Sequence, residues 1–225
     1  MGKLGWTPQK PERRAIERDE AEIERWQKVE WKKIKKKGAE TGATIVFADE
    51  AGIMMAPLLR RSWSPCGKTP IVRQHTRSHR KISTMGAVAM SPKGRRVRVF
   101  FRILADKNFN ADECVEFLRQ LEQNIKGKII FVWDRLLAHP SKKVRRFVER
   151  RGCRIKIELL PAYAPELNPV EYLWGYQKGA AMANFAPKDF EHLHDTAKAS
   201  LCRMRRDRNL VRSIISRSPL MNGFI

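Results

Sequence analysis

Two short apolar runs, TIVFAD (Thr44–Asp49) and KIIFVWD (Lys128–Asp134), most constrain how this chain can fold. Each has the length of a buried strand, and each ends in an aspartate. Buried strands joined through a helical connection tend to lie parallel in a helix-covered sheet. Asp49 and Asp134 would then emerge at the same edge of the sheet, where α/β proteins gather their ligands. Each aspartate also has a plain local explanation, because Asp readily starts turns.

The rest of the chain fits an α/β domain with a helical N-terminal extension. Residues 1–11 form a polar, proline-punctuated lead-in. From about Pro11 to Lys37 the pattern is helical, with Ile16, Ile23, Trp26 and Ile34 on one face and KKIKKK closing the helix. Residues 1–40 are therefore expected to be linker and charged helix, and 41–225 the main domain. RRSWSPCGKTPIV reads as a turn between short strands. KISTMGAVAM and RRVRVFFRIL flank Ser91–Gly94 as a hairpin, and the arginines of its second strand predict a half-exposed, mostly basic face. An amphipathic helix is expected over 110–126, a basic helix over about 141–151 and a strand at RIKIELL. Helices follow from Asn168 onward.

Charge narrows the partner. Forty-six Lys and Arg against 24 Asp and Glu give a net charge of +22, a field that favours polyanions, nucleic acid above all. No apolar run approaches the ~18–20 residues of a spanning helix, and the N-terminus lacks the apolar stretch of a signal peptide. A cytoplasmic, nucleoid-associated protein is the expectation. Four widely spaced cysteines, with no CxxC pair, read as free thiols.

A third carboxylate enters at LLPAYAPELNPVEYLW, Leu159–Trp174. Asn168 is a natural helix N-cap, Pro169 suits the first helical position, and Glu171 falls at the third. That is close to a capping box, in which the glutamate bonds back to the cap amide. The alternative is that Glu171 joins Asp49 and Asp134. Clustered carboxylates repel unless a cation sits among them. Magnesium accepts such ligands together with phosphate oxygens, and two ions roughly 4 Å apart suit phosphoryl transfer.

Taken in order, IVFADEAG, RRSWSPCGKTP, FVWDRLLAH and LLPAYAPELNPVEYLW resemble the catalytic domain of DDE transposases, in particular the bacterial insertion-sequence branch of the mariner superfamily. The resemblance covers about residues 41–185, and its last motif is the most specific. It implies an RNase H-like mixed sheet flanked by helices, with Asp49, Asp134 and Glu171 as catalytic and metal-binding residues for two Mg²⁺ ions, Mn²⁺ substituting. The implied reaction is hydrolysis at transposon ends, followed by attack of the freed 3′-hydroxyl on target DNA, usually at TA. The implied partners are double-stranded DNA and a second copy of the chain. GWTPQKPERR resembles the segment after the family's paired helix-turn-helix region, so most of that region is expected to lie outside this chain.

Around this centre, His139, Arg60, Arg61, Lys68, Arg73, Lys142 and Lys143 are candidate DNA contacts. Trp63, Tyr163 and Trp174 could stack on bases, although packing is the default for each. Glu50 should point to the opposite sheet face if its strand continues. A ribonuclease H-like nuclease without strand transfer, or an inactive DNA-binding remnant, would fit the same residues.

Overall fold

The computed structural model describes residues 14–74, 80–134 and 142–225. Its centre is a five-stranded mixed sheet of order β3-β2-β1-β4-β5, comprising β1 (Thr44–Met54), β2 (Lys81–Met90), β3 (Val97–Ala105), β4 (Ile129–Trp133) and β5 (Ile155–Leu159). β1, β2 and β3 form an antiparallel meander, whereas β4 and β5 run parallel to β1. The parallel half follows from the helical connections α3 (Ala111–Asn124) and α4 (Lys142–Glu149), which carry the chain back over one face. Alternation along the strands divides the core. Val46, Ala48, Phe131 and Trp133 pack against α3 and α4. Ile45, Phe47, Ile130 and Val132 face the other layer, which includes α5 (Pro169–Tyr176), α6 (Phe190–Arg206) and α7 (Arg208–Ile215).

The N-terminal helix is built into that second layer. It runs as α1 (Glu20–Arg25), a π turn over Trp26–Glu30, and α2 (Trp31–Thr41). Asp19 caps its start, and Gly42, with φ 66°, ends it in the left-handed conformation that glycine adopts freely. Ile23, Trp26, Trp31 and Ile34 are all buried in the core. At on the order of 1.5–3 kcal/mol per fully buried large side chain, this seam far outweighs the helix's surface ion pairs. Both indoles also bond across it, Trp26 Nε1 to the Leu159 carbonyl and Trp31 Nε1 to the Leu220 carbonyl, each at 2.9 Å.

Four local expectations change. The helix begins at Glu20, not near Pro11, and Ile16 lies outside it, almost fully exposed. β1 does not stop at Asp49: its pairing with β4 ends at Phe47, but β2 holds it through Met54. The segment 55–74 carries no strand, so RRSWSPCGKTPIV is not a turn between strands. The arginines of β3 do not make an open basic face. Arg98 lies over the Phe100 ring and donates to the Asn124 carbonyl, and Arg102 pairs with Glu113 of α3.

Candidate active site

Strand register brings the two aspartates together. β1 and β4 pair in parallel from Thr44 opposite Ile129 to Phe47 opposite Val132. Carried two residues past the end of the ladder, the same offset would align Asp49 with Asp134, and the charge of Asp134 does act on Asp49. The pleat puts both on one face. Asp49 follows Ile45 and Phe47, Asp134 follows Ile130 and Val132, and these four contribute to the same core layer. Glu50 alternates to the other face, where its charge helps raise the pKa of the Cys114 thiol, behind the larger effect of burial.

α5 roofs this face. Its Trp174 is buried and donates from Nε1 to Oδ2 of Asp49 at 2.9 Å. The indole fits because Gly86 stands opposite Asp49 on β2. A Cβ at Gly86 would meet the Trp174 ring at 2.6 Å, so the strand leaves out a side chain where the ring lies. Trp174 is thus a core residue, as packing alone would have it, and also a hydrogen-bond donor to a carboxylate.

Glu171 projects from the first turn of the same helix, which Asn168 anchors in two directions. Asn168 Oδ1 accepts from the Val170 amide at 3.2 Å, and its Nδ2 donates to the Ala48 carbonyl at 3.1 Å. The helix start is therefore tied to the residue beside Asp49. The reciprocal half of a capping box is not made. The Asn168 amide bonds instead to the Pro165 carbonyl at 2.9 Å, and Glu171 remains exposed beside an open groove of about 880 Å³. Arg60, Tyr172, Tyr176 and Arg217 line that groove too.

Electrostatics tie the three carboxylates to one another. The Asp49 carboxyl is pushed up from 3.8 to about 8, first by burial and then by the charges of Glu171 and Asp134. Glu171 is also raised, chiefly by desolvation and further by Asp134, against the opposing pull of Lys178. Glu50 rises to about 7 through burial and the Asp134 charge. A buried carboxyl that holds its proton at neutral pH, beside two further carboxylates, can exchange that proton for a cation. The donors are all oxygen, which suits magnesium or manganese and not a soft metal. Among the described residues no three His, Cys, Asp or Glu side chains are gathered closely enough to close on one ion.

The other candidates scatter. Arg60, Arg61, Lys68 and Arg73 lie exposed in the irregular segment 55–74, together with a fully exposed Trp63. Of these, Arg60 reaches the Glu171 groove. Its guanidinium lies over Gly179, and its amide donates to Asn184 Oδ1 at 2.8 Å. Lys142 and Lys143 open α4, whose buried residues Val144 and Phe147 pack in the opposite layer, and Lys143 pairs with Asp112. Tyr163 is half exposed and sits at φ 55°. His139 falls outside the described residues. Trp174 and Asn168 were missed as site residues. The signals for them were Gly86 inside an apolar strand, which marks a close approach, and the NP step at a helix start.

A five-stranded mixed sheet flanked by helices, with Asp49 inside β1, Asp134 just after β4 and Glu171 on a covering helix, is an RNase H-like fold. Residues 44–194 match the family described as DDE superfamily endonuclease, and the chain belongs to it. Residues 1–30 match a winged helix-turn-helix family. The expectation that most of such a region lies outside this chain is not confirmed, since this match lies within it. Solved structures of Mos1 share the fold. A Mos1 mariner paired-end complex with Mn superposes with a TM-score of 0.61 at 20% identity, over 100% of this chain and 69% of that one. A Mos1 transposase paired-end complex with the left transposon end gives 0.64 at 22%, over 99% and 68%. The catalytic domain of Mos1 mariner transposase gives 0.52 at 19%, over 98% and 99%. No curated protein sequence gives a significant match.

Proposed function

We propose that this chain is the catalytic part of a DNA transposase of the bacterial insertion-sequence branch, cutting transposon ends and joining them to target DNA, with TA as the preferred site. The observation that supports the reading is the β1–β4 ladder, whose offset, extended two residues past its last pair, aligns Asp49 with Asp134, next to the helix that bears Glu171. In this reading the three carboxylates hold two Mg²⁺ ions, or Mn²⁺ in their place. Bound there, the ions would lower the pKa of the attacking hydroxyl group and stabilise the leaving oxygen.

The chain's own residues supply the rest. Trp174 holds one oxygen of Asp49 in place. Asn168 keeps Glu171 at the groove. Arg60 is placed to contact a phosphate in the groove. In the first step water attacks the phosphorus at the transposon end, the P–O3′ bond breaks, and the released oxygen takes a proton to become a 3′-hydroxyl. In the second step that hydroxyl loses its proton and attacks a target phosphodiester. A new P–O bond forms, and the target's own 3′-oxygen leaves and is protonated. Two DNA ends joined in concert call for two copies of the chain, and the exposed side chains of Arg61, Lys68 and Arg73 would supply backbone contacts.

The test is Mg²⁺-dependent nicking of duplex carrying the terminal inverted repeats, with Asp134→Asn beside wild type, followed by joining to a TA-bearing plasmid. Loss of nicking with duplex binding retained supports the proposal. Nicking by the variant at the wild-type rate contradicts it, and nicking without joining identifies a simple nuclease. Duplex affinity should also fall steeply with added salt as Lys and Arg contacts are screened.

A further inference from the structure

The Arg18 guanidinium uses every N–H it has. Nε donates to Glu20 Oε1 at 2.8 Å, and Nη2 to Glu20 Oε2 at 3.1 Å and Glu166 Oε1 at 2.6 Å. Nη1 donates to Glu166 Oε2 at 3.1 Å and to the Tyr163 carbonyl at 2.7 Å. The Arg18 side chain is 14% exposed and that of Glu166 33%. An arginine so committed has no donor left for a DNA phosphate. What it does have is position.

Glu166 lies in the short 3₁₀ turn Pro165–Leu167, directly before the Asn168 cap and Glu171. Tyr163 holds φ at 55°, a conformation a bulky residue keeps only when its surroundings impose it. The loop between β5 and α5 is pinned along its length. Trp26 takes the Leu159 carbonyl, Arg18 takes Tyr163 and Glu166, Ser218 Oγ donates to the Leu167 carbonyl at 3.1 Å, and Asn168 reaches Ala48. Two of these four pins come from residues 14–30, within the stretch that matches a helix-turn-helix family. Burial would raise the Glu166 carboxyl, but the Arg18 bonds outweigh it and hold it below its ordinary value, so the pair stays charged at neutral pH.

We propose that Arg18 is a positioning residue for Glu171: by its fork onto Glu166 and the Tyr163 carbonyl, the N-terminal segment sets the loop from which the Glu171 helix starts. This rests on the reading of Glu171 as a metal ligand. It makes the N-terminal segment, part of which matches a helix-turn-helix family, and one ligand of the proposed centre a single mechanical unit. Lysine cannot replace the fork, because it offers one point charge in place of two parallel N–H pairs.

The experiment uses the full chain with Arg18→Ala, Arg18→Lys and Glu171→Gln. Three quantities are read: Mn²⁺ affinity by calorimetry, amide hydrogen exchange over residues 163–172, and duplex affinity in EDTA. In Arg18→Ala, exchange in that stretch should quicken by about tenfold and Mn²⁺ affinity fall by about tenfold, with duplex affinity within about twofold of wild type. Arg18→Lys should restore neither exchange nor Mn²⁺ affinity. Unchanged exchange overturns the proposal. So does faster exchange with unchanged Mn²⁺ affinity, which would make Arg18 merely structural, and so does a loss confined to duplex affinity. If Glu171→Gln binds Mn²⁺ as wild type does, the metal-ligand reading fails, and exchange alone then decides whether Arg18 holds the loop.

Discussion

Replacing Asp49 by asparagine should stabilise the ion-free protein, and the gain should grow with pH. Asp49 is 6% exposed, and its carboxyl is pushed up to about 8, by burial first and by the charges of Glu171 and Asp134 next. In the unfolded chain it titrates near 3.8. Between those values the folded state holds a proton that the unfolded state has lost. Stability is therefore fully present below about pH 4 and declines as pH rises, levelling off above about pH 8. At about 1.36 kcal/mol per pH unit the ceiling is about 6 kcal/mol. Water at the rim and mutual adjustment of the neighbouring carboxylates reduce it, so the expected loss is on the order of 3 kcal/mol.

Asparagine keeps an oxygen for Trp174 Nε1 and removes the charge. Urea unfolding in EDTA at pH 4, 7 and 9 should show wild type and Asp49→Asn close together at pH 4 and separated by on the order of 3 kcal/mol at pH 9. Glu50, also raised, is common to both proteins and cancels. Millimolar Mg²⁺ at pH 9 should restore the wild type and leave the variant unmoved, since a ligand bound only by the folded state stabilises it. Parallel pH profiles for the two proteins would refute the reasoning, because Asp49 would then carry its charge without cost.

Two further substitutions probe the support beneath that carboxylate. Gly86→Ala places a Cβ at 2.6 Å from the Trp174 ring. It should cost about 1–3 kcal/mol in thermal or urea unfolding and reduce nicking as the indole shifts away from Asp49. Trp174→Phe removes the 2.9 Å donor to Asp49 while keeping most of the packing. The Asp49 pKa should rise further, because this bond favours the charged form, and the pH at which Mg²⁺ supports half-maximal nicking should move upward.

Much of this was legible in the residues, and what was not has identifiable causes. TIVFAD and KIIFVWD predicted parallel neighbours, because a strand buried on both faces has little else to become, and the β1–β4 ladder bears that out. Asn168 read correctly as a cap. Local sequence could not tell whether Glu171 would be spent on the reciprocal bond, since that depends on the competing Pro165 carbonyl. The end of β1 was misjudged because its last residues, from Glu50 to Met54, are held by β2, and pairing with a later strand leaves no local mark. The Trp174–Asp49 bond spans 125 positions and the Arg18–Glu166 pair 148. Neither shows in any periodicity, although the lone glycine of KISTMGAVAM marked where the indole would lie. Ile16 matched the helical spacing and still lies outside the helix, because Asp19 supplies the cap and starts it three residues later.

Calorimetric titration of Mn²⁺ into the full chain, in wild type and in Asp49→Asn, Asp134→Asn and Glu171→Gln, tests the shared carboxylate site most directly. Each variant should bind at least about tenfold more weakly than wild type, because in the proposed site each removes a charged oxygen donor from one ion environment. Wild-type affinity in Asp134→Asn or Glu171→Gln would mean that the three residues do not share a cation, and the catalytic centre described here would not exist.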